Sequence, residues 1–154
     1  MKQRWLRIGL LAGIVFALNV IGRLVVRLGS IEDVETQDRV SLFTLIAIAV
    51  AMATTAVVWG RQRPQGDVVG ELAGAAVAGG VLSLFVGPFA SDSTPVADGL
   101  NVFLAEAGIY AGFAGGGALV GLLLLIMLGK DYKSRSLARY AEEKLAKPRR
   151  PVRR

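Results

Sequence analysis

Four long, unbroken apolar stretches occupy most of this 154-residue chain, at roughly residues 8–28, 41–60, 68–90 and 102–129. Each is about 20 residues or longer, and at about 1.5 Å rise per residue a helix of that length crosses a hydrocarbon core roughly 30 Å thick. A soluble domain of this size would alternate apolar with polar residues to make half-buried elements. Here the runs are apolar on every side, which is the pattern of helices solvated by lipid. The expected fold is therefore all-α and integral to a membrane. It is a four-helix antiparallel transmembrane bundle over residues 1–129, followed by a basic cytoplasmic helix and tail over residues 130–154.

Charge is distributed as such a threading requires. The segment before the first stretch, the second connection and the tail carry three, two and ten Lys/Arg, while the first and third connections carry one and none. Glu32, Asp33, Glu35 and Asp38 make the first connection acidic, and Asp92 and Asp98 the third. The positive-inside rule then puts both termini in the cytoplasm of a bacterial-type inner membrane, with the acidic connections outside. The first stretch has the basic and apolar regions of a signal peptide. No small-x-small cleavage site follows it, and Arg23 and Arg27 stand where one should be, so it is read as an uncleaved first helix. Trp5 and Trp59 fall at the inner ends of the first and second helices, as interfacial anchors do.

Pro64 and Gly66 make residues 61–67 a short reversal between the second and third helices. The first connection, about 29–40, has room for a short helical turn. The third, 91–100, holds Pro95 and Gly99 and should be irregular. Residues 130–147 lack Pro and Gly and place Leu137, Tyr140, Ala141 and Leu145 on one helical face. Asp131–Arg135 and Glu143–Lys147 have i,i+4 spacing for ion pairs. Pro148 ends that helix, and Arg149, Arg150, Arg153 and Arg154 form a basic end suited to anionic lipid headgroups, beside which nucleic-acid binding is not expected.

Chemistry is narrowly bounded. The chain has no Cys and no His, which removes thiol redox, Cys nucleophiles, His acid–base catalysis and metal sites built on either residue. No cofactor or metal site is expected, and no nucleophile–base pair is legible. Of 19 glycines, many lie inside the apolar stretches. Gly108, Gly112 and Gly116 recur every four residues, with Gly115, Gly117 and Gly121 beside them; Gly70, Gly74 and Ala78, and Gly9, Gly13 and Ala17, repeat the spacing. Such ladders let helix backbones approach closely where lipid supplies no hydrophobic drive. Packing within the chain's own helices is the first expectation and a homo-oligomer or larger membrane complex the second. On the first, a bulky residue at Gly112 should push a neighbouring helix away.

Four ionisable residues fall within or at the rims of the spans: Arg23, Arg27, Glu71 and Glu106. Intramembrane charge needs a partner, water or a route to the surface. Arg23 and Glu106 lie at equal depth, roughly 6–9 Å below the outer ends of their helices at about 1.5 Å per residue, so they can pair. Asn19 extends that patch by one turn. Arg27 is expected to snorkel or to meet Asp98 or the acidic first connection. Glu71, near the inner rim, is expected to meet Arg61, Arg63 or Arg7. The middle of each helix carries no ionisable group, which argues against an ion-coupled transporter. The expected role is that of a non-enzymatic accessory, scaffold or assembly subunit, with a small-solute transporter or channel built on Asn19, Arg23 and Glu106 as the alternative.

Overall fold

In the computed structural model, residues 2–31, 33–91, 94, 96 and 99–146 are described, and no strand occurs among them. Helices α1 (Lys2–Leu28), α2 (Val34–Gly60), α3 (Gln65–Val81), α4 (Leu100–Met127) and α5 (Tyr132–Ala146) follow in order. The third continues through a wide π turn, Leu82–Val86, and a tight 3-10 turn, Gly87–Ser91. Four helical stretches are long and apolar enough to cross a membrane, which marks the chain as a membrane protein.

Two helix boundaries depart from the expectation. α2 begins at Val34, so the acidic connection is only a few residues long. Asp33 is the reason: its carboxylate accepts the Thr36 backbone N–H at 3.0 Å and the Thr36 hydroxyl at 2.7 Å, capping the helix. Glu35 in the first turn complements the helix dipole and pairs with Arg39 one turn on. These bonds hold the Asp33 carboxyl below its ordinary value of 3.8, the Thr36 hydroxyl contributing most. α1 has just ended in paired reverse bonds, Ile31 N–H to Val26 O and Ser30 N–H to Arg27 O, with Ser30 left-handed at φ 46°.

The second departure is the loss of α-helical geometry after Val81. Proline at position 88 has no N–H to give to the carbonyl four residues back, and its ring crowds that carbonyl. The chain widens first, and the Gly87 N–H reaches Leu82 O in an i+5 bond.

The four long helices form a ring in the order α1, α2, α4, α3. Consecutive helices run in opposite directions, yet the most intimate pairs run parallel. Gly117 and Gly121 of α4 lie on the backbone of Ala49 and Ala53 of α2, and Gly74 of α3 lies on Ile8 of α1. α1 and α4 are diagonal, not adjacent. The core is Leu11, Val15, Ile48, Met52, Ala56, Val68, Leu72, Ala75, Tyr110 and Ala114, concentrated towards the end that carries residues 61–64. That end is basic, with Arg4, Arg7, Arg61, Arg63 and Lys130; the opposite end, with Asp33, Glu35 and Asp38, is acidic.

α4 closes in the same paired reverse bonds, Lys130 N–H to Leu125 O and Gly129 N–H to Ile126 O, with Gly129 at φ 61°. The chain turns there, and Asp131 caps α5 through the Ser134 N–H at 3.4 Å. Ser134, through its side-chain hydroxyl first and this N–H less, lowers the Asp131 carboxyl from its ordinary value. Asp131 thus serves the helix start, where an ion pair with Arg135 was expected. Leu137 and Tyr140 are exposed along α5. Lys147, Pro148, Arg149, Arg150, Arg153 and Arg154 lie outside the described residues, as do Asp92 and Asp98.

Candidate functional site: a polar cavity at the acidic end

A cavity of about 510 Å³ opens between all four long helices at the acidic end. α1 supplies its charged wall. Asn19 and Arg23 are one turn apart on one face, and Arg23 Nε donates to Asn19 Oδ1 at 3.2 Å. The glycine at position 87 lets the 3-10 turn close on this pair: a Cβ there would stand 3.0 Å from Asn19 Oδ1 and 3.3 Å from Arg23 Nε. A turn further on, Arg27 donates to the Ala90 carbonyl at 3.0 Å, so its stem does not simply run to the surface.

α4 supplies Glu106, whose Oε2 is 3.7 Å from Arg23 Nη2. The pair expected from equal depth is thus brought together, but at a separation longer than a hydrogen bond. It spans the ring's diagonal and does not join neighbouring helices. The Arg23 side chain is 26% exposed and that of Glu106 51%.

α2 contributes Gln37, Asp38, Ser41 and Thr44. Gln37 Nε2 donates to Ile31 O at 2.7 Å, which leaves its carbonyl oxygen for the cavity, and the Thr44 hydroxyl donates to Val40 O at 2.9 Å. The glycine at position 22 permits this crossing of α1 and α2, since a Cβ would collide with the Thr44 hydroxyl. The π turn contributes Ser83, which is 2% exposed and whose Oγ has no hydrogen-bond partner among the described residues. The floor is Tyr110. Its ring lies against Gly80, and its hydroxyl donates to Ala76 O at 2.9 Å.

Sequence reasoning reached Asn19, Arg23 and Glu106 but missed the α2 wall and the role of Ser83. The signals were present: Asp33 followed three residues later by Thr36 is a helix-start pattern, and Pro88 marks the break that reorients Ser83.

Two other clusters stand apart from the cavity. At the basic end Glu71 is 2% exposed and accepts two hydrogen bonds from Arg63 Nη1, at 3.0 and 2.9 Å, with Arg4 Nε at 3.7 Å. Arg63 is among the expected partners, Arg4 was not, and neither Arg7 nor Arg61 takes part in the ion pairs seen. Gly70 beside it allows the approach, as a Cβ would come within 3.3 Å of Arg4 Nη2.

The second cluster is the glycine ladder of α4, which behaves unlike the expectation. Nothing lies within 4 Å of a Cβ built at Gly108, Gly112 or Gly116. α4 packs instead through Gly117 and Gly121, and a helix has only one face to give to α2. Gly112 and Gly116 line an open apolar groove of about 540 Å³ with Ala49, Ala53 and Phe113. No group of three or more acidic residues that would hold a metal occurs among the described residues. No protein-family model, curated protein or solved structure matches the chain.

Proposed function

We propose that this chain is a non-enzymatic four-pass subunit of a bacterial-type inner membrane, which packs with itself or with a larger membrane complex. The observation that carries this reading is the unoccupied ladder of Gly108, Gly112 and Gly116. Small residues at four-residue spacing, open to the outside and framed by apolar side chains, suit the close approach of another transmembrane helix. Within the chain that surface has no partner among the described residues.

The same reading takes the ring as an antiparallel transmembrane bundle with both termini cytoplasmic, because the Lys/Arg bias favours that threading at every segment. α5 then lies along the inner leaflet with Leu137 and Tyr140 towards lipid, and the tail arginines meet anionic headgroups at about 1 kcal/mol each. A single cysteine at position 35, in a chain with no native Cys, should be labelled in intact cells. Labelling only after the membrane is broken open would overturn the threading.

The assembly reading is tested by mass measurement after extraction in mild detergent. The wild-type chain is expected to be self-associated or held in a larger complex. Gly112→Leu is expected to release it as a single chain of unchanged thermal stability. A wild-type chain found alone, or a Gly112→Leu chain still assembled, refutes the reading. A channel or transporter is supported by the cavity at Asn19, Arg23 and Glu106, but Leu11, Val15, Ile48, Met52 and Ala114 pack below it as an apolar plug. A dead-ended cavity favours binding over conduction.

A further inference from the structure

We infer that the acidic-end cavity binds a small zwitterion with an apolar body, of the α-amino-acid type. This goes beyond the assembly role and does not depend on it. The less exposed polar groups of the cavity are donors in need of an acceptor. Arg23, its side chain three-quarters buried, uses Nε on Asn19 and meets Glu106 only at 3.7 Å, which leaves the rest of its guanidinium without a hydrogen bond among the described residues. Asn19 gives its oxygen to Arg23 and lines the same space, and its amide nitrogen has no hydrogen-bond partner among the described residues.

Ser83 is the sharpest observation. Thr44, Thr54 and Thr55 each donate to the carbonyl four residues back, the usual refuge of a hydroxyl in an apolar helix. Ser83 does not, and its buried Oγ stands on the cavity wall without a partner among the described residues. A buried hydroxyl without a partner is unfavourable, and such groups call for a ligand or water. The π turn that holds it is a geometry found frequently at functional sites.

The more exposed side, its rim, has the opposite character. Asp38, Glu106 and the free carbonyl oxygen of Gln37 are acceptors. A simple anion would satisfy Arg23, Asn19 and Ser83 but would lie beside the carboxylates of Asp38 and Glu106 in the same cavity and leave them unmet. A simple cation would suit the rim and leave Arg23 and Ser83 unmet. A zwitterion satisfies both, with its carboxylate on Arg23, Asn19 and Ser83 and its ammonium on Glu106 and Asp38. Leu45, Leu84 and Ile109 offer an apolar wall for the remaining body. The volume, about 510 Å³, is within the usual range of small-molecule pockets.

The test uses the full chain in nanodiscs of zwitterionic lipid and equilibrium dialysis with radiolabelled leucine, valine, methionine and phenylalanine. At least one should bind saturably. For leucine as the bound case, 4-methylpentanoate lacks the ammonium and 3-methylbutylamine lacks the carboxylate; the matching deleted analogues serve for the others. Each analogue should compete at least about tenfold more weakly, the scale of one lost charged hydrogen bond. Ser83→Ala and Asp38→Asn should each weaken binding about five- to tenfold, with thermal stability unchanged or raised for Ser83→Ala because its hydroxyl has no partner to lose. Glu35→Gln, whose residue pairs with Arg39 outside the cavity, and Gly112→Leu should bind as the wild type does. The inference fails if none of the four amino acids saturates or if a singly charged analogue binds as tightly. It fails equally if Ser83→Ala and Asp38→Asn leave binding intact, or if Glu35→Gln weakens it as much as they do.

Discussion

Replacing Gly117 with alanine adds one methyl group where α4 lies closest to α2. A Cβ built there stands 2.7 Å from the Cα of Ala49 and 2.8 Å from its carbonyl carbon, and ordinary contact begins at 3.4 Å. The obstructing atoms are backbone, the Ala49 carbonyl oxygen nearest of all, so no side chain can swing aside, and α2 and α4 must part by more than about 0.7 Å at that level. Inserting a methyl into a packed contact costs roughly 1–3 kcal/mol, and this site belongs at the upper end because backbone cannot yield. Gly112→Ala makes the same chemical change five residues earlier on the same helix, where nothing lies within 4 Å. It should alter stability by less than about 0.5 kcal/mol. Unfolding of the purified chain in mixed micelles, titrated with SDS and followed by helicity, measures both. A large loss for Gly117→Ala beside none for Gly112→Ala is expected. Equal losses would falsify the assignment of the two faces.

Three further outcomes follow from the charged groups. Arg63→Gln leaves Glu71 buried with only the longer contact to Arg4, so it should destabilise by about 3 kcal/mol, whereas Arg4→Gln should cost far less because Arg63 keeps both short bonds. Similar losses in the same SDS titration would place the burden elsewhere. A double-mutant cycle of Arg23→Gln and Glu106→Gln should return a coupling of about 0.2–1 kcal/mol, since the pair is 3.7 Å apart and its carboxylate is half exposed; strict additivity would dissolve the pair. Asp33 stabilises the start of α2 more strongly while ionised. Its folded carboxyl lies below the ordinary 3.8, so its contribution is present above that value and fades as pH falls through the lower, folded one. Hydrogen exchange at the Thr36 amide, corrected for intrinsic rate, should therefore accelerate in that acid window and in Asp33→Ala at neutral pH; a pH-independent protection in the wild type would contradict the cap.

The zwitterion site and the glycine groove make separate demands on the molecule. The first rests on the irregular backbone after Val81, where Ser83 is buried with its hydroxyl unbonded among the described residues. The second needs only a bare helix face. A variant that damages one should therefore spare the other, and the two functional readings stand or fall separately.

Helix number, length and apolar character were legible in the residue order, because continuous apolar runs of membrane length have few other solutions. The reach of Arg23 to Glu106 was legible too, since depth along a helix is only a count of residues at constant rise. Periodicity carries no information about which neighbour a face meets. The ladder at Gly108, Gly112 and Gly116 and the contacts at Gly117 and Gly121 differ by about one residue, roughly 100° of rotation, and both consist of glycine. Only the ring order, with α2 and α4 parallel and touching, decided that the second face is buried. The same order made α1 and α4 diagonal, so the expected Arg23–Glu106 pair is a bridge across a cavity. It also brought Asp38 and Ser83 to that cavity from helices whose sequences, read alone, gave them no common purpose.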